Sequence, residues 1–158
     1  AFVGRLDLTE KDAAWPFLFG SLGELARHGD RIGAALACET GLEAPEAVAG
    51  LLARFETVGL GVQVDPATLL AHRHDPAAAV RAWQGRVLHV QARDVRLSRS
   101  SRERQDVPVG EGDVDWLALL GGLEEVGYRG WLTVGCPPGE QALSHLRSGL
   151  AFLKQVAG

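Results

Sequence analysis

The stretch Arg86–Val95, "RVLHVQARDV", decides how the chain is read. Val87, Leu88 and Val90 make its first half a buried strand, since branched apolar side chains suit a pleated backbone. It then turns polar through Gln91, Arg93 and Asp94. A strand that is apolar along its length and polar at its carboxyl end is the pattern of parallel α/β sheets, where ligands gather at strand ends. Alternation puts His89 and Gln91 on one face.

Working outward, the same rhythm recurs. "RIGAALACE" (31–39), "GLGVQVD" (59–65) and "RGWLTVG" (129–135) read as three more strands, beside 86–93. Helices are expected between them. "APEAVAGLLARF" has Pro45 near its first turn, and "DPAAAVRAW" has Asp75 as cap and Pro76 at the first position. "DVDWLALLGGLEEVG" is expected to be capped by Asp113, and a last helix fills Glu140–Val156. Ahead of the first strand, Leu18, Leu22 and Leu25 mark a helix ending near "RHGD", with a capping box at Thr9–Asp12. Val95–Gly112 is read as a long polar loop. Trp83, Trp116 and Trp131 fall in helix or strand runs and are expected in the core; Trp15, before Pro16, is ambiguous.

Strands alternating with helices argue for one α/β domain over residues 1–158, with parallel βα repeats on four strands. Two architectures fit: a doubly wound open sheet, or half of a (β/α)8 barrel. No glycine-rich nucleotide fingerprint supports the first. A half-barrel leaves two unpaired edges and an apolar inner face. Three remedies are open: association with a missing amino-terminal half, pairing of two copies, or flattening into a small open sheet.

The four strand ends carry Glu39, Asp65, Gln91 and Gly135, spaced by 26, 26 and 44 residues. One residue per successive strand is how a barrel builds a ring of ligands. Glu39 and Asp65 offer oxygen donors suited to a divalent metal. Each also has a plain reading, Glu39 as the start of a loop and Asp65, before Pro66, as a turn former. Arg96, Arg99, Arg102 and Arg104 of "RLSRSSRERQ" could grip a phosphate or could form a solvated loop.

Several motifs together resemble the xylose isomerase-like barrel family, the sugar phosphate isomerases and epimerases related to endonuclease IV. "GAALACETG" resembles its fifth strand, "GVQVDPATLL" its sixth and "VLHVQARD" its seventh. "VPVGEGDVDWLALLGGLEEVGYRGWLTV" resembles its Gly-x-Gly loop, seventh helix and eighth strand. The resemblance implies the carboxyl-terminal half of such a barrel. It implies a divalent metal (Mn, Mg, Co or Zn) on Glu39 and Asp65, and Glu39 as one of the two catalytic groups that move the proton as base and acid. It further implies metal-assisted proton transfer on a small sugar, sugar phosphate or cyclitol, with His89, Gln91, Arg93 and Asp94 near the substrate. His89 reads equally as a hydrogen-bonded core histidine, and Arg93 with Asp94 as a loop salt bridge or turn.

The departures are as informative. Gln91 stands where the family has a metal-binding histidine, and Gly135 where it has a second metal-binding glutamate. Arg93 and Asp94 fill a Lys-Asp pair, and Thr68 stands where His or Asn is common. Two of four ligands remain, so the metal could be absent. Glu140 could substitute only if "GCPPGE" folds back. A non-catalytic binding or assembly module on the same fold is therefore the alternative, and an endonuclease-like phosphodiesterase the weakest reading.

Composition narrows the classes. Apolar content of 46% with 23% charge is globular. A net charge of −4 gives no general attraction to nucleic acid or anionic membrane. No apolar run is long enough to span a bilayer, and none reads as a leader. Cys38 and Cys136 form no metal-binding spacing and are expected to be reduced thiols in the cytoplasm. The chain has no Met, so it is expected to be processed or part of something longer.

Overall fold

The computed structural model describes residues 15–98 and 103–157. The expected cap at Thr9–Asp12, and Arg99 and Arg102 of the basic loop, lie outside the described residues. Helix α1 (Trp15–Ile32) buries Trp15, Leu22 and Ala26. It overruns the expected boundary: Arg31 and Ile32 complete the helix, and Gly33 turns the chain at φ +70. Glycine adopts that backbone without strain. The first strand is accordingly short, β1 (Leu36–Glu39).

Helix α2 (Pro45–Leu52) begins with its proline, whose missing N–H costs nothing in a first turn. Strand β2 (Leu60–Val64) buries Leu60, Val62 and Val64 against the helices. Gly61 between them is required by close approach, because a Cβ there would lie 2.3 Å from the Arg86 carbonyl oxygen. Helices α3 (Pro66–Ala71) and α4 (Pro76–Ala82) follow, each with a proline in its first turn. Trp83, at the end of α4, is 1% exposed and donates its indole N–H to the Pro45 carbonyl at 2.9 Å. That bond fastens the end of α4 to the start of α2.

Strand β3 (Val87–Ala92) is the stretch that opened the reading. Next come β4 (Asp94–Leu97), β5 (Arg104–Val107), α5 (Trp116–Glu125), β6 (Leu132–Val134) and α6 (Ala142–Val156). The main sheet has the order β1-β2-β3-β6, every pair parallel. A doubly wound sheet reverses its order at a switch point. This one runs in sequence order throughout, as an arc of a barrel does. The chain is an α/β fold of parallel βα repeats, four strands forming half of a (β/α)8 barrel. Among the described residues, β1 and β6 have one strand neighbour each.

The core lies between this sheet and the helices, where Val62, Val64, Val90 and Ala92 are fully buried. The opposite face is the inside of the arc. The register skips Leu88, pairing Val62 with Val87 and Gln63 with His89. This places the His89 ring between two neighbours. Its Nδ1 is 3.2 Å from Gln63 Oε1, and its Nε2 is 2.8 Å from Thr133 Oγ1.

Three expectations are corrected. The polar loop after β3 is in part a hairpin: β4 and β5 pair antiparallel, with Val95 opposite Asp106. Its strands carry too few apolar residues to show a period of two. Helix α5 is capped by Asp115, which accepts from the Ala118 N–H at 3.0 Å; Asp113 instead accepts from the Leu97 N–H at 2.7 Å, tying the loop to β4. Trp131 is 85% exposed rather than in the core. Leu132 and Val134 take the helix-facing positions, so alternation sends Trp131 and Thr133 to the open inner face.

Candidate functional site

The carboxyl ends of β1, β2 and β3 converge with the β4–β5 hairpin. Asp65 leaves β2 and becomes the N-cap of α3, a short helix that sequence reading treated as a turn. Its Oδ1 accepts from the Thr68 N–H at 3.1 Å, and its side chain is 1% exposed. A buried carboxylate needs a cation or several donors. The partner is Arg93, whose Nη1 donates to Asp65 Oδ2 at 2.9 Å. The other arm of the same guanidinium, Nη2, donates to Asp106 Oδ2 at 2.7 Å. Burial works against the guanidinium charge, but the two carboxylates outweigh it and raise its pKa above the ordinary arginine value.

The stem of Arg93 passes over Gly135. A Cβ at 135 would sit 2.8 Å from Arg93 Cγ and 2.9 Å from Gln91 Nε2. Gln91, Arg93 and Gly135 are therefore one packed group, and the position without a side chain is filled by its neighbours. Gly135 itself stays in the sheet, donating its N–H to the Ala92 carbonyl at 2.8 Å.

Glu39, half-buried at the end of β1, lines a cavity of about 300 Å³. Thr68, His72, Arg93, Arg104 and Asp106 line it too. The structure thus brings Glu39 and Arg93 to one cavity and places Asp65 directly behind Arg93. Glu140 is exposed and does not line the cavity. His89 is held lower on the inner face, with both ring nitrogens engaged by Gln63 and Thr133.

Asp94 is turned away from the cavity. It is 2% exposed and accepts from the N–H groups of Val95, Gly110 and Val114 and from the Trp116 indole. A carboxylate has about four lone-pair sites, and all are engaged within the fold. Gly112 closes the cage, since a Cβ there would lie 2.1 Å from Asp94 Oδ1. The Gly-x-Gly pattern is the mould of this carboxylate.

Sequence reading missed Asp106 and His72. Asp106 enters only because the hairpin folds back, and nothing in "RERQDV" announces that. His72 follows from α3, whose cap Asp65 and first residue Pro66 were both visible as helix-start signals.

The donor set was tested against the divalent metal that the family resemblance implies. Among the described residues, no three His, Cys, Asp or Glu side chains are grouped to hold a metal ion. Gln91 offers a neutral amide and Gly135 offers nothing. Both Asp65 oxygens are engaged, one as a helix cap and one with Arg93. The residues present do not fit the group.

Comparisons place the chain. A curated inosose dehydratase from Lacticaseibacillus casei is 23% identical over 141 residues, covering 78% of this chain and 47% of that protein. The structure of a xylose isomerase domain protein from Planctomyces limnophilus superposes with a TM-score of 0.83 and 26% identity, over 94% of this chain and 55% of that one. A xylose isomerase-like TIM barrel protein from Mycobacterium smegmatis, solved in complex with magnesium, gives 0.74 and 16% identity, over 98% and 53%. The chain spans about half the length of the relatives it matches. The family model described as xylose isomerase-like TIM barrel matches residues 2–156, and the chain belongs to that family.

Proposed function

We propose that the chain binds a small neutral polyol, a sugar or cyclitol, in the cavity beside Glu39, without metal-assisted turnover. The observation that carries this reading is the charge balance of the lining. Arg93 and Arg104 are matched by Glu39 and Asp106. A lining with equal numbers of arginines and carboxylates suits hydroxyl groups, which donate and accept at once. A phosphate would need an excess of positive charge. At about 300 Å³ the cavity is at the lower end of the range that holds small molecules. The kinship to an inosose dehydratase supports the same ligand class.

A second reading, metal-assisted isomerase or epimerase, is supported by the sequence resemblance, which implies Glu39 and Asp65 as metal ligands. Two measurements separate the readings. Thermal melting with myo-inositol, D-fructose and their phosphates is expected to show larger shifts for the neutral compounds. Larger shifts with the phosphates, or none with either polyol, would overturn the ligand class. Proton NMR in D2O follows exchange at the carbon beside the carbonyl of fructose. The first reading expects no exchange above buffer, with or without Mn²⁺; exchange that depends on Mn²⁺ would establish the second.

A further inference from the structure

We propose that the Arg93 guanidinium occupies the seat of the family's metal, and that Arg93, rather than the missing ligands alone, now keeps a divalent cation out. The inference goes beyond the polyol reading and does not rest on it. Three observations converge on Arg93. Its Nη1 takes the buried oxygen of Asp65 that a metal would need. Its stem packs over Gly135, with Cγ 2.8 Å from where a Cβ there would be, so a side chain at 135 would have to press the stem aside. Its second arm is held by Asp106, which the hairpin delivers.

The chemistry is specific to arginine. A guanidinium is a planar fork that can hold two carboxylates on opposite arms, whereas an ammonium is a single compact charge. The resemblance of β3 to the family's seventh strand implies lysine at this position. A lysine would have to hold Asp65 and Asp106 from one nitrogen rather than from two arms. Arg93 thus supplies a cation that the protein cannot lose.

A simpler account holds that metal affinity went only because His and Glu were replaced at 91 and 135. The two accounts differ on one double variant. If ligand loss alone is responsible, Gln91→His with Gly135→Glu restores binding. If Arg93 fills the seat, that variant stays without metal until Arg93 is also changed.

The test titrates Co²⁺ into the whole chain and its folded variants, followed by calorimetry and by visible absorption of the bound ion. The expected result is no saturable binding in the unaltered chain or in Gln91→His/Gly135→Glu. One Co²⁺ per chain is expected when either Arg93→Lys or Arg93→Ala is added to that pair. Arg93→Lys keeps a charge near Asp106 and covers the case in which the alanine variant does not fold. Binding in the double variant as tight as in the triple ones would overturn the proposal, and so would folded triple variants that bind none. A measurement on the unaltered chain stands apart from folding of any variant. Nitrogen-15 NMR of the Arg93 side chain must show slowed rotation of its guanidinium, and free rotation would equally overturn the proposal.

Discussion

Asp65 and Arg93 form an ion pair between unequal partners: the carboxylate is 1% exposed and the guanidinium side chain 34% exposed. The acid cannot turn to water if the base is removed. Arg93→Met should therefore destabilise the fold by about 2 kcal/mol, the cost of leaving a buried charged acceptor without its donor. The estimate lies below that for a fully buried pair because solvent reaches one side. Arg93→Lys should cost less, since an ammonium can reach one carboxylate. Urea denaturation measures both, and an Arg93→Met variant within about 0.5 kcal/mol of the parent would mean the pair is not formed.

Asp94 should be the least replaceable polar residue of the chain. Asp94→Ala strands the buried donors of Val95, Gly110, Val114 and Trp116, so a loss of more than about 3 kcal/mol is expected. Gly112→Ala should be comparably harmful, because its Cβ would collide with the same carboxylate. Near-ultraviolet circular dichroism reports the Trp116 environment. Retention of the parent spectrum and stability in Asp94→Ala would show that the cage is not structural.

Stability should fall on the alkaline side. Burial pushes up the Cys38 thiol from 9.0 and the Tyr128 phenol from 10.0. Both are neutral when protonated, and the folded chain holds their protons longer than the unfolded one. Their contribution is fully present below those ordinary values and is lost as pH rises through them and on to the raised ones. Melting temperatures at steps from neutral pH upward should decline across that window. In Cys38→Ser the thiol's share of the decline should disappear.

The open arc predicts association. Strands β1 and β6 each have one strand neighbour among the described residues, and Trp131 is exposed on the inner side. An edge with free backbone groups beside an apolar ring recruits a partner strand. Size-exclusion chromatography with light scattering should find a dimer or larger species for the chain alone, with blue-shifted Trp131 emission. A clean monomer with water-exposed emission would contradict this.

The βα rhythm and the parallel strands were legible because buried strands and amphipathic helices repeat at short range, from Leu60–Val64 to Leu132–Val134. The strand ends themselves were legible for the same reason. Their meaning was not. "HVQARD" shows that histidine is replaced by Gln91, but the reach of Arg93 to Asp65 spans 28 residues and depends on side-chain path. The hairpin was hidden because its polar strands fold onto the site rather than into the core. Asp94 reads as a site residue from its position and proves to be enclosed, since three of its four donors follow 16 to 22 residues later in the chain. Trp131 misled because an aromatic in a strand run says nothing about which face is covered.

The most direct test of the account is a calorimetric titration of the chain with myo-inositol, first in EDTA and then with Mn²⁺ in excess. The account predicts binding of one polyol per chain in EDTA, unchanged by Mn²⁺ and weakened in Arg104→Ala. Binding that appears only with Mn²⁺ would contradict it.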